Sequence, residues 1–236
     1  MIRLDKIKNE LKRYSNKKKA KILRSFFKTG PGEYGQGDLF LGATVPQIRK
    51  IANMHYRYFS YTQTAKLLKS KIHEERLLAL LILVSKYQRS GYGDRQKIYK
   101  LYLKSSRYIN NWDLVDLTAP KIVGEFLVSE NKEVLYDLAR SKSLWERRIA
   151  IIATFRFIKK GYFKDSLRIA KILLYDREDL IQKAVGWMLR EVGKRDQSAE
   201  EAFLKKHYKN MPRTMLRYAI ERFEEKKRQG YLRGKY

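Results

Sequence analysis

The stretch EERLLALLIL, residues 74–83, is the first of five segments that can be laid over one another as helices. The other four segments are NWDLVDLTA (111–119), ERRIAIIATF (146–155), QKAVGWMLRE (182–191) and LRYAIERF (216–223). Equivalent positions at 76, 112, 148, 183 and 217 lie 34 to 36 residues apart. A repeat of this length is typical of a solenoid of helix pairs, in which each pair buries its apolar face against its neighbours.

The period alone does not separate the helical repeat families. Tetratricopeptide and ankyrin repeats have similar lengths, but their signature residues are missing, and a degenerate repeat of HEAT type fits better. Apolar residues recur every three to four positions along nearly the whole chain, and β-type alternation is absent. The sequence therefore predicts an all-α fold, a right-handed superhelical solenoid of HEAT-like helix pairs.

The periodicity also places the individual elements. The predicted helices span residues 2–13, 16–28, 44–58, 61–70, 74–89, 93–106, 111–128, 130–141, 143–159, 162–174, 179–194, 196–210 and 212–228. Residues 31–42, PGEYGQGDLFLG, are predicted to be an extended connection. Pro120 lacks the N–H that would bond the carbonyl of Asp116, so we expect the helix to loosen or kink there. Since no linker interrupts the pattern, we expect one domain, residues 1–236, with a concave groove and a basic tail from about residue 226.

Composition narrows the partners. The chain has 53 Lys and Arg against 25 Asp and Glu, a formal net charge of +28, which predicts a polyanion as partner. It has no cysteine and only three histidines, so we expect neither a disulfide nor a metal site, and no cofactor. The longest apolar run, LLALLILV at 77–84, is too short to span a bilayer, and we expect a cytoplasmic monomer without a membrane contact.

The repeat register predicts where the charge lies. One slot near the start of each repeated segment holds Arg76, Trp112, Arg148, Lys183 and Arg217. The slot one turn later, on the same helix face, holds Leu80, Asp116, Ile152, Trp187 and Glu221. Second helices of a curved solenoid line its concave side. The pattern therefore predicts a cationic groove containing Trp112, Asp116, Arg148, Lys183 and Trp187.

Asp116 is the unusual residue of this groove. Asp113 fits the first turn of a helix capped by Asn110 or Asn111, where the helix dipole favours a negative charge. Asp116 lies about a turn further in, on a stripe whose other members are apolar, and such a carboxylate needs a partner, a shifted pKa or a cleft. The structural alternative is a buried ion pair with Arg148 that fixes neighbouring repeats. Likewise, the basic residues of the row could be ordinary solvated positions.

Several of these segments resemble a known family. NWDLVD (111–116), LWERRIAI (144–151), QKAVGWMLRE (182–191) and the upstream PGEYGQGDLFLGATVPQIRKIA (31–52) are similar to the bacterial AlkD-type DNA alkylation repair glycosylases. The resemblance implies a monofunctional hydrolase that excises positively charged N3- and N7-alkylated purines from double-stranded DNA and leaves an abasic site. It implies catalysis by Asp116 with Trp112 and Trp187, and a DNA-backbone contact by Arg148. Where some members have a second aromatic residue before the first tryptophan, this chain has Asn111.

The chemistry expected of such a site agrees with these residues. An alkylated purine already carries its positive charge and can leave without protonation, so one carboxylate, Asp116, is sufficient. Tryptophan faces attract cations, which suits Trp112 and Trp187. The cations predicted to hold phosphates are Arg148, Lys183, Arg190, Arg76 and Arg217. A catalytically silent DNA binder would use the same groove, whereas a protein scaffold would have no use for an in-register basic row.

Overall fold

The computed structural model describes residues 3–236. Helices make up nearly all of its regular secondary structure, and the only β-type pairing within these residues is one isolated parallel bridge between Leu39 and Ile72. The predicted all-α class is therefore confirmed. The chain divides into two compact units, Met1–Thr118 and Ala119–Tyr236, with the division inside one helix. The prediction of a single domain stays a prediction.

The first unit is built around one central helix. Its helices are α1 (Leu4–Lys12), α2 (Lys17–Phe26), α3 (Val45–His55), α4 (Tyr61–Leu68), α5 (His73–Gln88), α6 (Tyr92–Lys104) and α7 (Trp112–Ala119), with short 3-10 turns at Tyr56–Tyr58 and Ser106–Tyr108. α5 carries the apolar run LLALLILV and is buried along almost its whole length against α3 and α4. A helix that is apolar on every face needs neighbours on every face, so α5 forms the core of this unit.

The connection between α2 and α3 is ordered by a buried glutamate. The chain makes tight turns as far as Gly37 and is extended only from about Asp38, so the predicted extended connection is correct in its second half. The Glu74 carboxylate accepts hydrogen bonds from the backbone N–H groups of Leu41 (3.0 Å) and Gly42 (2.7 Å). These charge-assisted bonds attach the connection to α5.

The second unit contains three of the repeated segments packed in chain order. Its helices are α8 (Glu125–Leu127), α9 (Glu133–Ala139), α10 (Leu144–Ala153), α11 (Phe155–Lys159), α12 (Lys164–Ile172), α13 (Asp179–Gly193), α14 (Gln197–His207), α15 (Arg213–Ala219) and α16 (Glu225–Leu232). α10 packs against α9 and α13, and α13 packs against α15. This order of contacts is compatible with a helical-repeat solenoid.

A glycine permits the close contact between α13 and α15. A Cβ on Gly186 would lie 2.4 Å from the Met215 carbonyl oxygen and 2.5 Å from the Tyr218 Cβ. No side chain fits into that space, so the backbones of α13 and α15 come closer together than two ordinary helices do. The glycine immediately precedes Trp187, and the contact fixes the turn of α13 that carries this tryptophan.

Three predicted helices are divided in the structure. Residues 120–124 form a π-helical turn after α7, as expected from the missing N–H of Pro120. The predicted helix 143–159 is interrupted at Thr154, whose hydroxyl donates to the Ile151 carbonyl (2.6 Å). The predicted helix 212–228 ends in a 3-10 turn, Ile220–Arg222, and is followed by α16.

The C-terminal segment corrects the prediction of a basic tail. It is a helix whose Tyr231 is 2% exposed and contacts the rings of Tyr208, Phe223 and Tyr236. Because Tyr208 lies 23 residues before Tyr231, periodicity within the segment does not reveal this contact. Within residues 3–236, every helix falls short of the length and apolarity that a membrane span requires.

Candidate functional site

α7 brings two of the predicted site residues onto one face. The helix begins at Trp112, whose N–H donates to the Asn111 side-chain oxygen (2.8 Å). Asp116 lies four residues later, so its side chain is adjacent to that of Trp112. Leu114 and Val115 are fully buried, whereas Trp112 and Asp116 are partly exposed. The side of α7 that carries the acid is therefore the side that a ligand can approach.

The indole of Trp112 is held by aromatic neighbours. It stacks on Phe27, with ring centroids 5.2 Å apart and planes inclined by 29°, and it meets the edge of Phe26 at 5.6 Å. Phe27 in turn stacks on Phe40 at 5.3 Å. Phe27 and Phe40 are buried, while Phe26 is 59% exposed. The ring of Trp112 is thus fixed from behind by the core of the unit, and Phe26 extends the aromatic surface toward solvent.

Beneath this surface lies a buried network of charged residues. His73 Nε2 is 2.8 Å from the Asp113 carboxylate, and His73 Nδ1 is 3.4 Å from that of Asp38. Arg76 donates to the same Asp38 carboxylate at 2.7 Å. The imidazole also packs against the rings of Phe27 and Phe40, with centroids 4.9 and 4.8 Å away. α5, α7 and the connection after α2 therefore meet at His73.

The charges of this network set the protonation of its members. Burial alone would lower the pKa of His73, but the negative charge of Asp113 and the hydrogen bonds to Asp113 and Asp38 raise it to about 9. Burial opposes ionisation of Asp38 as well, yet hydrogen bonds and attraction from His73 and Arg76 lower the pKa of its carboxyl below the usual range. His73 is a buried cation at neutral pH.

Arg76 does not occupy the position predicted from the register. Its side chain is 4% exposed, is paired with Asp38, and donates to the Ser70 carbonyl at 3.0 Å. A guanidinium held in this way inside the unit is not an accessible phosphate ligand. The prediction fails because the register identifies the helix face of Arg76 but not Asp38, which lies 38 residues earlier in the sequence.

Arg148 is also buried. It is 5% exposed, and its guanidinium donates to the carbonyl of Leu180 in the first turn of α13. The predicted direct contact with the DNA backbone does not match this placement. Within the second unit the residue joins α10 to α13, the helix that carries Trp187.

The remaining predicted cations differ in exposure. Lys183 is paired with Asp179 at 2.6 Å, and its side chain is 40% exposed. Arg190 is largely buried and paired with Glu221. Arg217 is exposed on α15. Of the row inferred from the register, Lys183 and Arg217 are therefore the cations that a phosphate can reach.

Trp187 is partly exposed. Its ring lies 5.8 Å from that of Phe155, with the planes inclined by 45°. The predicted convergence of Trp112, Asp116, Arg148, Lys183 and Trp187 on one groove stays a prediction.

Sequence reasoning missed the network around His73, whose partners lie 35 and 40 residues away in the sequence. The acidic residue in the first turn of α7 was its only signal.

Comparison with known proteins identifies the family. Residues 7–223 match the model of the family described as DNA alkylation repair enzyme. The chain belongs to this DNA alkylation repair family. A solved structure from Enterococcus faecalis, described as a predicted DNA alkylation repair enzyme, is similar with a TM-score of 0.68 and 16% identity, over 89% of this chain and 97% of that chain. At this identity the likeness shows the fold alone.

Membership of the DNA alkylation repair family makes DNA the expected substrate. No curated protein matches this chain. In the described part of the chain, no group of three or more His, Cys, Asp or Glu side chains is placed to hold a metal ion. Asp116, Trp112 and Trp187 are partly exposed, and their assignment as the reacting site stays a prediction.

Proposed function

We propose that this protein is an AlkD-type DNA glycosylase that hydrolyses the N-glycosidic bond of positively charged N3- or N7-alkylated purines in duplex DNA and leaves an abasic site. The observation that carries the proposal is the pairing on α7 of a partly exposed carboxylate, Asp116, with a partly exposed tryptophan, Trp112, one turn away. Membership of the DNA alkylation repair family supports the choice of substrate.

The charge of the substrate explains why one carboxylate is enough. In an N7-alkylated guanine the base already carries a positive charge. When the bond to the sugar breaks, its electron pair goes to the base, which leaves as a neutral molecule without a proton from the enzyme. The developing sugar cation is stabilised by the negative charge of Asp116. Water then adds to C1′, and its released proton passes to Asp116 or to solvent.

Trp112 has a separate role in the proposed reaction. The face of an indole attracts cations, by about 0.5–2 kcal/mol depending on solvent exposure. A cationic purine is therefore favoured against Trp112 over its neutral, undamaged counterpart. Phe27 stacks behind the indole at 5.2 Å and keeps it from turning away, so the preference needs no reordering of the ring. Trp187 is proposed to grip the lesion nucleotide in the same way.

Affinity for the duplex is expected to come from surface cations. Lys183 and Arg217 are proposed to contact phosphates, which position the DNA without reading its sequence. Arg190 and Arg148 are proposed to act mainly through the second unit, where Arg190 pairs with Glu221 and Arg148 bonds the first turn of α13. Their loss would displace Trp187 rather than remove a single phosphate contact.

Asp116→Asn tests the proposal. The substitution keeps the size of the side chain but removes its charge, so release of 7-methylguanine from methylated duplex should fall on the order of a hundredfold to a thousandfold. Duplex affinity and thermal melting should remain close to those of the wild type. The matched control is Asp5→Asn, which removes an exposed carboxylate from α1 and should leave base release unchanged.

Two outcomes would contradict the proposal. If the wild type binds duplex DNA but releases no alkylated base, the protein is a silent DNA binder. If Asp116→Asn lowers stability by about 3–5 kcal/mol while the folded fraction retains its specific activity, Asp116 is the member of a structural ion pair.

A further inference from the structure

The cations of α2 differ from most of the cations that the sequence predicted to bind DNA. The helix has the sequence KKKAKILRSF, with four lysines, one arginine and no acidic residue. The side chains of Lys17, Lys21 and Arg24 form no ion pair or hydrogen bond with any described residue, whereas Arg76, Lys183 and Arg190 are all paired. Repulsion among unpaired cations on one short helix is unfavourable unless an anion joins them.

Three of these cations border a groove. Lys17, Lys21 and Arg24 recur at helical spacing, so they lie on one face of α2 together with Ala20. This face and the Phe40–Leu41 segment enclose a cavity of about 550 Å³, with Ser15 at one end. Ala20, Phe40 and Leu41 form an apolar floor, and the cations form the rim. The volume is within the range of small-ligand sites.

Hydrogen bonds fix the two walls of the groove against each other. The Asn16 N–H donates to the Leu41 carbonyl at 2.8 Å, and the Asn16 side chain accepts from the Lys19 N–H at 2.9 Å, which caps α2. Glu74 holds the other wall through the N–H groups of Leu41 and Gly42. A Cβ on Gly42 would lie 2.3 Å from the Asn16 carbonyl oxygen, so the walls are in direct backbone contact. The groove is preformed and does not depend on a ligand for its shape.

We propose that this groove binds a short stretch of one DNA strand, with Lys17, Lys21 and Arg24 on successive phosphates and the sugar or base between them against the apolar floor. The three cations span eight residues of helix, which is seven rises or about 10 Å along its axis. Three successive phosphates of one strand span two rises of about 3.4 Å, or about 7 Å along the duplex axis. The long lysine and arginine side chains can cover the difference. The choice of DNA as the anion rests on the proposed function.

A charge-matched pair of variants tests the rim. The first variant combines Lys17→Gln, Lys21→Gln and Arg24→Gln. The control variant replaces three exposed cations of the same unit and combines Lys69→Gln, Lys100→Gln and Lys104→Gln. Affinity for an unmodified fluorescein-labelled duplex is measured by anisotropy over a series of salt concentrations. Each lost phosphate contact lowers the slope of log affinity against log salt concentration by about 0.9. The slope of the first variant should therefore be smaller than that of the wild type by about 2.7, and the slope of the control should be almost unchanged. Equal losses in both variants, or an unchanged slope in the first, would overturn the proposal.

Crosslinking tests the floor without changing the protein. Duplexes that carry 4-thiothymidine at successive positions are irradiated with the wild type, and the crosslinked peptide is located by mass spectrometry. Crosslinks at residues 40–41 are expected from at least one position, whereas crosslinks confined to other parts of the chain would show that no base or sugar enters the groove.

These measurements separate the groove from the proposed reaction. If the expected slopes and crosslinks are found but the wild type releases no 7-methylguanine, the proposed glycosylase activity is refuted. The proposal that the groove binds DNA then still stands. A wild type that releases the base, together with a first variant that binds like the control, refutes the groove alone. Neither variant should melt below the wild type, because all six side chains are solvent-accessible, and loss of the repulsion within α2 should raise the melting temperature of the first variant slightly.

Discussion

His73 shows how much of the site depends on one buried residue. Its side chain connects the first turn of α7 to the connection after α2, and its cationic form is stabilised by Asp113 and Asp38. Because Asp113 is in the same turn of helix as Trp112, the ion pair supports the residues that the proposed reaction uses. A neutral imidazole would keep at most part of this attraction.

The stability that His73 contributes should depend on pH. The pKa is about 9 in the folded protein and about 6.5 when unfolded, so the contribution is complete below about pH 6.5 and is lost as the pH rises toward 9. The shift corresponds to about 3 kcal/mol at 1.36 kcal/mol per pKa unit. The difference in unfolding free energy between the wild type and His73→Gln should therefore shrink over this window. A difference independent of pH would show that the histidine is not charged in the fold.

Glu200 must be separated from this effect. Burial, and then the charge of Glu201, raise the pKa of its carboxyl to about 8. An acid whose pKa is higher in the folded protein than in the unfolded one also makes the fold less stable as pH rises. For Glu200 this loss occurs between about pH 4.5 and pH 8. Glu200→Gln serves as the control, because it removes this second dependence and leaves that of His73 in place.

At the residue scale, the sequence predicted the helix face that a residue occupies better than the group that its side chain contacts. The register places Trp112 and Asp116 on one face of α7. It places Arg76 and Arg148 in the groove, whereas both are buried, and only the alternative of an ion pair with Asp116 had Arg148 buried. Their partners, Asp38 and the Leu180 carbonyl, lie 38 and 32 residues away, and no local pattern states which group faces them.

At the scale of elements, the contact of α13 with α15 can be tested through Gly186. Gly186→Ala places a Cβ 2.4 Å from a backbone oxygen, and the two helices must move apart. Overpacking of this kind costs about 1–3 kcal/mol or more, and it should also displace Trp187 and reduce base release. Gly93→Ala is the matched control, since a Cβ there meets no atom within 4 Å and α6 should tolerate it. Urea unfolding of both variants measures the difference.

If both alanine variants unfold alike, the two helices are not in the tight contact described.

The sequence did predict that these segments are helices, because each has a clear apolar period. It did not predict where they end. The break at Thr154 and the separate α16 depend on a side-chain hydrogen bond and on aromatic contacts that only the folded chain creates.

At the scale of the whole molecule, the net charge of +28 should dominate association with DNA. We expect the logarithm of duplex affinity to fall linearly and steeply with the logarithm of salt concentration, with little preference for base sequence. Anisotropy titrations with duplexes of unrelated sequence over a range of salt measure both properties. A shallow slope, or a strong preference for one undamaged sequence, would indicate that base contacts rather than phosphates supply the affinity.

The packing of Trp112 against Phe27 also makes the protein its own optical reporter. The chain has three tryptophans, so replacing Trp145 and Trp187 by phenylalanine leaves Trp112 as the one tryptophan, on the helix that carries Asp116. Phenylalanine keeps an aromatic ring at position 187, where the proposed grip on the lesion nucleotide needs one. Its ring is held from behind, and a cationic purine that stacks on its exposed side would change the emission directly. Lesion engagement could then be followed in real time with unlabelled DNA, and bond cleavage could be timed separately from it.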